Sequence, residues 1–454
     1  MSMDEGWSII SSRGDWPPAN PLSGLTLYSG PFPVLLLRLF GPRHGLIILR
    51  ASSVLMNGLM LVLIARLLLQ QYPAKVLRGW ALPLIATCPV WLVTLRTGIE
   101  VLMLMPGLTV LGLYLLTLRT RWAALGAGLA WGLLVYNHLI GIAFPIGITL
   151  GWLLVYLRWP RVPLLPLVAG LALGVLPRVL ALYLYGTELE SGGSGSQYVL
   201  ANAVSDLRWL PKALWETWIG ETVYLRYCGR VALHIWPYWS LGLAFCVPWL
   251  RRPWQLPRAA SFCLLASVSS AVLCTLAAPY MGVRFFVLPL VGTCACLVLL
   301  GAGAIERDAR WGYWVRGLGL ALTACNLFYL GANFYLPWAR HELDITNFFL
   351  GERSPHTTSW GYLPKDGLVQ ALKALSPRPE QVISNATIDR PLRALLHRSG
   401  IHSCTWNDAD PTLRSVFVDY ISAGLEPTRC LPVPGGEMCF QHPEVVDQYF
   451  VLYR

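Results

Sequence analysis

Val101-Leu-Met-Leu-Met-Pro-Gly-Leu-Thr-Val-Leu-Gly-Leu-Tyr-Leu-Leu-Thr-Leu118 runs for 18 residues without a charge and is closed by Arg119 and Arg121. A helix of about 20 apolar residues crosses the hydrocarbon core of a bilayer, and basic residues mark the cytoplasmic side of such a helix. The stretch therefore reads as a transmembrane span that ends in the cytoplasm. Working outward, the same pattern recurs at 45–69, 80–95, 123–139, 140–157, 163–185, 232–250, 259–280, 284–304 and 314–335, for ten spans in all. The polar pair Asn137-His138 divides the apolar stretch 123–157 in two. Composition agrees: the 454 residues are 55% hydrophobic and 13% charged, with a mean hydropathy of +0.52. A soluble domain carries about 25% charged residues. The chain reads as a mainly α, polytopic transmembrane helical bundle.

The net charge of +11 belongs to that bundle. From Leu336 onward 11 Lys/Arg face 13 Asp/Glu, so the preceding residues hold the other 24 basic and 11 acidic groups. Many of these basic residues sit in short loops on alternate sides: Lys75 and Arg78; Arg119 and Arg121; Arg158 and Arg161; Arg251, Arg252 and Arg258; Arg307, Arg310 and Arg316. This distribution rejects a nucleic-acid partner and follows the positive-inside rule. The expectation is an integral, multi-pass protein of a bacterial inner or plasma membrane, with both chain ends on the extracytoplasmic side. Met1 leads into an acidic stretch and not into a signal peptide. Either the first span inserts with its N-terminal side outside, or a further apolar helix precedes it; the second is the expectation.

Three regions follow. Residues 1–44 form an extracytoplasmic loop broken by Pro17-Pro18, Pro21 and Gly24. Its apolar run Pro31–Phe40 is too short to span and suits an interfacial helix, or else a re-entrant or core helix. Residues 45–335 are the bundle. Within it, residues 186–231 read as a long outer loop whose Gly/Ser-rich part precedes an aromatic, helically spaced segment around Trp209, Trp215 and Trp218. That order fits either a lid or a loop resting on the membrane. Residues 336–454 change to soluble composition, with strands read at Gln381–Ser384, Ser415–Val418 and Tyr449–Tyr453 and helices at Gly367–Leu375 and Pro391–His397. This predicts a small extracytoplasmic α/β domain. Eight of the eleven cysteines lie in or near spans and read as small buried apolar residues. Cys430 and Cys439 flank a Pro/Gly turn where a disulfide fits. No metal signature is present in the sequence.

Ionisable groups next to the bilayer carry the chemistry. Asp4 and Glu5 open the chain; one carboxylate near a membrane-bound substrate could act as a general base, although an acidic end in solution would look the same. Arg96-Thr-Gly-Ile-Glu100 is a short outer turn holding both signs of charge. Arg96 suits a phosphate oxygen and Glu100 a sugar hydroxyl, and a structural pair remains the alternative. His138 lies at the outer end of its span, where a buried bundle residue is the simpler reading. Arg284 sits at another outer edge, where its planar fork matches phosphate. On the charge map all six residues share one face.

These motifs, in this order, resemble the GT-C membrane glycosyltransferases, in the branch of protein O-mannosyltransferases and lipid A aminoarabinose transferases. The similarity rests on Asp4-Glu5, Tyr28-Ser-Gly-Pro-Phe32 leading to Leu39-Phe-Gly-Pro42 and Arg50, Arg96…Glu100, Gly128-Leu-Ala-Trp-Gly132 followed by Asn137-His138, and Arg284-Phe-Phe-Val-Leu-Pro289. It covers most of residues 1–335. The resemblance implies a GT-C bundle and a sugar donor on a polyprenyl phosphate. It makes Asp4 the catalytic base, Glu5 its acidic neighbour, and Arg96, Glu100, His138 and Arg284 donor contacts. The helix expected before the Asp-Glu loop is absent from this chain, and His138 stands where lysine is frequent.

The reaction so implied is an inverting transfer to a cell-envelope acceptor (glycan, lipid or protein) at the extracytoplasmic face. The sequence points to no definite cofactor, and a divalent cation on the two carboxylates is compatible with the reaction. The rivals are a transporter or flippase of lipid-linked precursors, which calls for charges near the bilayer midplane, and a non-catalytic envelope-assembly subunit.

Overall fold

The computed structural model describes residues 30–40, 45–88, 100–157, 162–190, 241–250, 255–277 and 287–330 of the bundle. In the C-terminal region it describes 372–374, 379–384, 396, 401–404, 410, 412–420, 429–433, 436–446 and 449–453. The chain divides into two compact units, 20–33 with 49–342 and 1–19 with 34–48 and 343–454.

Among the described residues the helices, besides a four-residue one at Ala74–Leu77, are α1 (Phe32–Phe40), α2 (Gly45–Gln71), α3 (Ala81–Ala86), α4 (Glu100–Thr117), α5 (Arg121–Asn137), α6 (Ala143–Tyr156), α7 (Leu164–Glu190), α8 (Arg258–Ala277), α9 (Val287–Arg307) and α10 (Trp311–Leu330). Single 3₁₀ segments at Leu139–Ile142 and Leu241–Trp249 interrupt the series. Among the described residues four segments are long and apolar enough to cross a membrane: Ile47–Gln71, Leu139–Tyr156, Leu164–Ala181 and Leu288–Arg307. Leu104–Thr117 and Arg258–Cys274 are shorter apolar helices. Side chains such as Leu165, Val168, Leu173 and Val179 on α7 are exposed, as a lipid-facing surface requires.

Two expected boundaries change. Of the span read at 80–95, the described part up to Cys88 is helical over the six residues of α3, and residues 89–95 lie outside the described residues. Pro83 lies inside α3, and Pro89 biases Cys88 away from helical geometry. The loop expected from residue 186 begins later, because α7 continues to Glu190. The aromatic segment that fits a lid lies outside the described residues.

Glycines bring the helices into backbone contact. A β-carbon at Gly132 of α5 would lie 2.5 Å from the Leu171 carbonyl oxygen and 2.7 Å from the Gly174 Cα of α7. Gly128 meets the Leu167 carbonyl and Gly170 the Leu125 carbonyl in the same way. This is small-xxx-small packing, in which association in lipid comes from close van der Waals approach. Residue numbers rise together along the crossing, so α5 and α7 run parallel. α6 and α8 run antiparallel, since Gly147 abuts Ser270 and Gly151 abuts Ala266. α4 and α5 are also antiparallel: Trp131 Nε1 donates to the Thr109 carbonyl at 3.2 Å, and Gly126 faces Leu115. α9 is enclosed, with Val298 and Ala302 fully buried, and Trp249 Nε1 donates to its Leu300 carbonyl at 3.2 Å.

The C-terminal unit holds a six-stranded sheet in the order β2-β1-β3-β6-β5-β4, formed by β1 (Gln381–Ser384), β2 (His402–Cys404), β3 (Ser415–Tyr420), β4 (Arg429–Val433), β5 (Gly436–Val446) and β6 (Tyr449–Tyr453). β1 pairs parallel with β2 and β3, and the remaining pairs are antiparallel. Val382, Ile383 and Phe417 are fully buried, as is Leu396. Gln381 ties β1 to its neighbours: Nε2 donates to the Ser415 hydroxyl at 2.6 Å, and Oε1 accepts from the Asp410 N–H at 3.2 Å. Three strands were legible in the sequence. β2 and the β4–β5 hairpin were not.

Candidate functional site

The outer end of α5, on the charge map, gathers buried polar groups. α5 starts at a Thr120 cap whose hydroxyl accepts from the Ala123 N–H at 3.1 Å. It stops at His138, whose backbone is extended at φ −160° and ψ 131°. The His138 ring turns back to cap the following 3₁₀ turn, with Nδ1 accepting from the Ile140 N–H at 3.2 Å. That bond assigns the ring proton of neutral His138 to Nε2. Tyr136, Asn137 and His138 are 7%, 0% and 4% exposed.

The segment after the acidic-pair loop meets this end. Gly30 N–H donates to the Asn137 carbonyl at 2.6 Å, and the Phe32 ring meets Tyr136 edge-on at 5.5 Å. Glycine is required at position 30, because a β-carbon there would lie 2.7 Å from both the Asn137 Cα and the Tyr136 carbonyl oxygen. The Tyr28-Ser-Gly-Pro-Phe32 motif thus has a local reason for its glycine.

Arg178 completes the cluster, and the sequence reading missed it. It lies on α7, 1% exposed and within electrostatic reach of Tyr136. The crossing explains the meeting: Gly174 touches Gly132, and one turn further along two parallel helices brings Arg178 level with Tyr136. A charged side chain within a membrane helix is costly and marks function by default. The signal was present in the sequence, since Arg178 is the one charge in the span read at 163–185 and follows Pro177. Pro177 also withdraws the helical donor from the Leu173 carbonyl. The negative pole of the α5 C-terminus favours a guanidinium beside it, and the planar fork of that group matches phosphate oxygens.

Of the six residues read from the sequence, His138 is placed in full. Glu100 is the first residue of α4. The antiparallel register of α4 on α5 carries its backbone to the level of residues 138–142, at the same end of the bundle. Asp4, Glu5, Arg96 and Arg284 lie outside the described residues. Among the described residues no group of three or more His, Cys, Asp or Glu could hold a metal ion.

No protein-family model matches the chain, and no curated protein matches it in sequence. Its fold is that of ArnT from Cupriavidus metallidurans. The crystal structure of ArnT bound to undecaprenyl phosphate aligns with a TM-score of 0.52 at 13% identity, covering 99% of this chain and 93% of ArnT. ArnT in the apo state aligns with a TM-score of 0.51 at 14% identity over the same shares. The membrane-bundle fold expected from the motifs is therefore the fold of this chain, shared with ArnT.

Proposed function

We propose that this protein is an inverting glycosyltransferase that moves a sugar from a polyprenyl-phosphate carrier to a cell-envelope acceptor at the extracytoplasmic membrane face. The observation that carries the reading is the fold, which matches over nearly the whole chain a protein crystallised with undecaprenyl phosphate. The buried cation at one end of the bundle supports it. A lipid-linked phosphosugar keeps its tail among apolar helices and its head at the interface, where Arg178, Tyr136 and His138 are gathered. Arg178 lies 14 residues into α7, about 21 Å of rise along a core about 30 Å thick, which puts it past the midplane toward the end where α5 finishes.

In this mechanism Asp4 removes the proton from an acceptor hydroxyl or amine as it attacks the anomeric carbon, and Glu5 is its acidic neighbour. The bond between that carbon and the phosphate oxygen breaks, and its electron pair leaves on the phosphate. Arg178, with Arg96 and Arg284, stabilises the developing negative charge. Glu100 and His138 contact the sugar or phosphate, and inversion follows from a single displacement. The test is turnover of a pool of radiolabelled polyprenyl-phosphate sugars by the full chain in nanodiscs. Asp4→Asn is expected to abolish release of polyprenyl phosphate while leaving the protein inserted and folded. Wild-type turnover by that variant overturns the assignment of the base, and absence of turnover by the wild type with every sugar in the pool overturns the reading itself.

A further inference from the structure

Away from the polar cluster, a groove of about 230 Å³ opens inside the bundle between α2, α4, α6, α8 and α9. Leu68, Leu113, Ile148, Phe262, Val291 and Leu299 are among the side chains that make its walls. Its axis follows α6 from Phe144 to Tyr156, 12 residues and so about 18 Å. That matches one leaflet of hydrocarbon, about 15 Å, and not the whole bilayer.

Besides Thr109, Ser267 and Ser270 further along the walls, the polar groups of the groove lie at one end, where α2, α4 and α6 finish. Gln70, Gln71, Thr117 and Tyr156 line it there, and Gln70 Nε2 donates to the Thr117 hydroxyl at 3.2 Å. This is the end of the basic loops. Arg119 follows Thr117 by two residues, Arg258 directly precedes the lining residue Ala259, and both are exposed. One turn above Tyr156 in the same wall stands Trp152, its ring tilted by 32° to that of Tyr156 at 4.2 Å between centres and edge-on to Phe262 at 6.0 Å. Its indole N–H is shielded from solvent and finds no acceptor among the described residues. A buried donor of this kind is normally satisfied, so the groove lacks an acceptor at that depth.

We propose that the groove is a binding site for an anionic phospholipid of the leaflet on the basic-loop side. One acyl chain fills the apolar walls, an ester carbonyl accepts from Trp152 Nε1, and the headgroup phosphate lies against Arg119 and Arg258. The headgroup end of the site is separate from the polar cluster, which lies at the opposite end of the helices, and the site does not depend on the proposed transfer reaction.

The test uses the full chain in nanodiscs with a phosphatidylglycerol that carries a diazirine on one acyl chain. After irradiation, mass mapping is expected to place crosslinks on the peptides that hold residues 144–156 and 259–270. Unlabelled phosphatidylglycerol competes. Phosphatidylcholine needs a concentration higher by roughly fivefold for each arginine at the headgroup, and the Arg119→Gln/Arg258→Gln variant is expected to lose that preference. Both residues are exposed, so this variant keeps the test valid even where the groove-filling Ala295→Phe, expected to remove the crosslinks, does not fold. Equal competition by phosphatidylcholine, or crosslinks confined to other helices, overturns the proposal. Stronger competition by a polyprenyl phosphate than by phosphatidylglycerol also overturns it, and would assign the groove to a carrier tail.

Discussion

Replacing Gly132 by alanine tests the link between helix packing and the polar cluster. The new methyl carbon would stand 2.5 Å from the Leu171 carbonyl oxygen and 2.7 Å from the Gly174 Cα, where ordinary contact begins at 3.4 Å. Both neighbours are backbone, so no side chain can swing aside. α5 and α7 must separate by about 0.9 Å to admit the methyl. A gap of 0.5–1 Å forfeits roughly a quarter to a half of each dispersion well along the crossing. Overpacking of this kind costs about 1–3 kcal/mol, and it moves Arg178 away from Tyr136 by a similar fraction of an ångström. Gly58 of α2 is the matched control: a β-carbon there meets nothing within 4 Å, and alanine in a helix interior is favoured over glycine by up to about 1 kcal/mol. Thermal unfolding of the two variants in one detergent is the assay. Gly132→Ala is expected to unfold earlier than the wild type and Gly58→Ala no earlier. Equal stability of Gly132→Ala and the wild type would refute the backbone contact and the level at which it sets Arg178.

Three further outcomes follow from other parts of the molecule. Arg178→Gln is expected to lower turnover of a lipid-linked sugar by about 10²–10³-fold, the usual loss for one charge-stabilising donor, and Arg178→Lys to restore little of it because ammonium lacks the planar fork; full activity of the glutamine variant removes Arg178 from the site. In the β4–β5 hairpin Cys430 and Cys439 are directly opposed, three residues from the closing Val433–Gly436 pair and hence at a non-hydrogen-bonded position, where Cα atoms are about 4.5 Å apart and within disulfide range. Non-reducing peptide mapping is expected to find them linked, and finding two free thiols in protein from an oxidising compartment excludes the bridge. Hydrogen bonds from the Arg414 N–H and side chain hold the Glu380 carboxyl below its ordinary value, and those from Thr412 do the same for Asp410. Stability from such depressed groups is fully present above their unfolded values, about 4.3 and 3.9, and is lost as pH falls through the lower folded ones. Amide exchange in β1 is expected to quicken below about pH 4 relative to Glu380→Gln at matched pH, and parallel profiles would rule this out.

The bundle was legible because membrane spanning needs length and apolarity and little else; α2, α4, α5, α6, α8, α9 and α10 begin and end within a few residues of their expected positions. In the span read at 80–95 the described helix stops at Ala86, between Pro83 and Pro89, whose effect on helix length the apolar count passes over. In the C-terminal unit β1, β3 and β6 show β-branched and aromatic runs, which a sequence discloses. β4 and β5 contain Pro432, Pro443 and Gly436 and so read as turns. Their register is shifted between Gln441 and Pro443, the kind of irregularity at which a strand tolerates proline. Arg178 escaped for a different reason. A single charge within an apolar run was absorbed into the span, and only the glycine crossing, which depends on two segments some 40 residues apart, shows what it faces.

The way His138 closes α5 restricts what can sit opposite it. With Nδ1 committed to the Ile140 amide, the neutral ring offers its neighbours a donor and has no lone pair to spare. Whatever group of the protein or of a ligand lies against Nε2 must then carry an acceptor such as an oxygen, and an ammonium group is excluded from that contact.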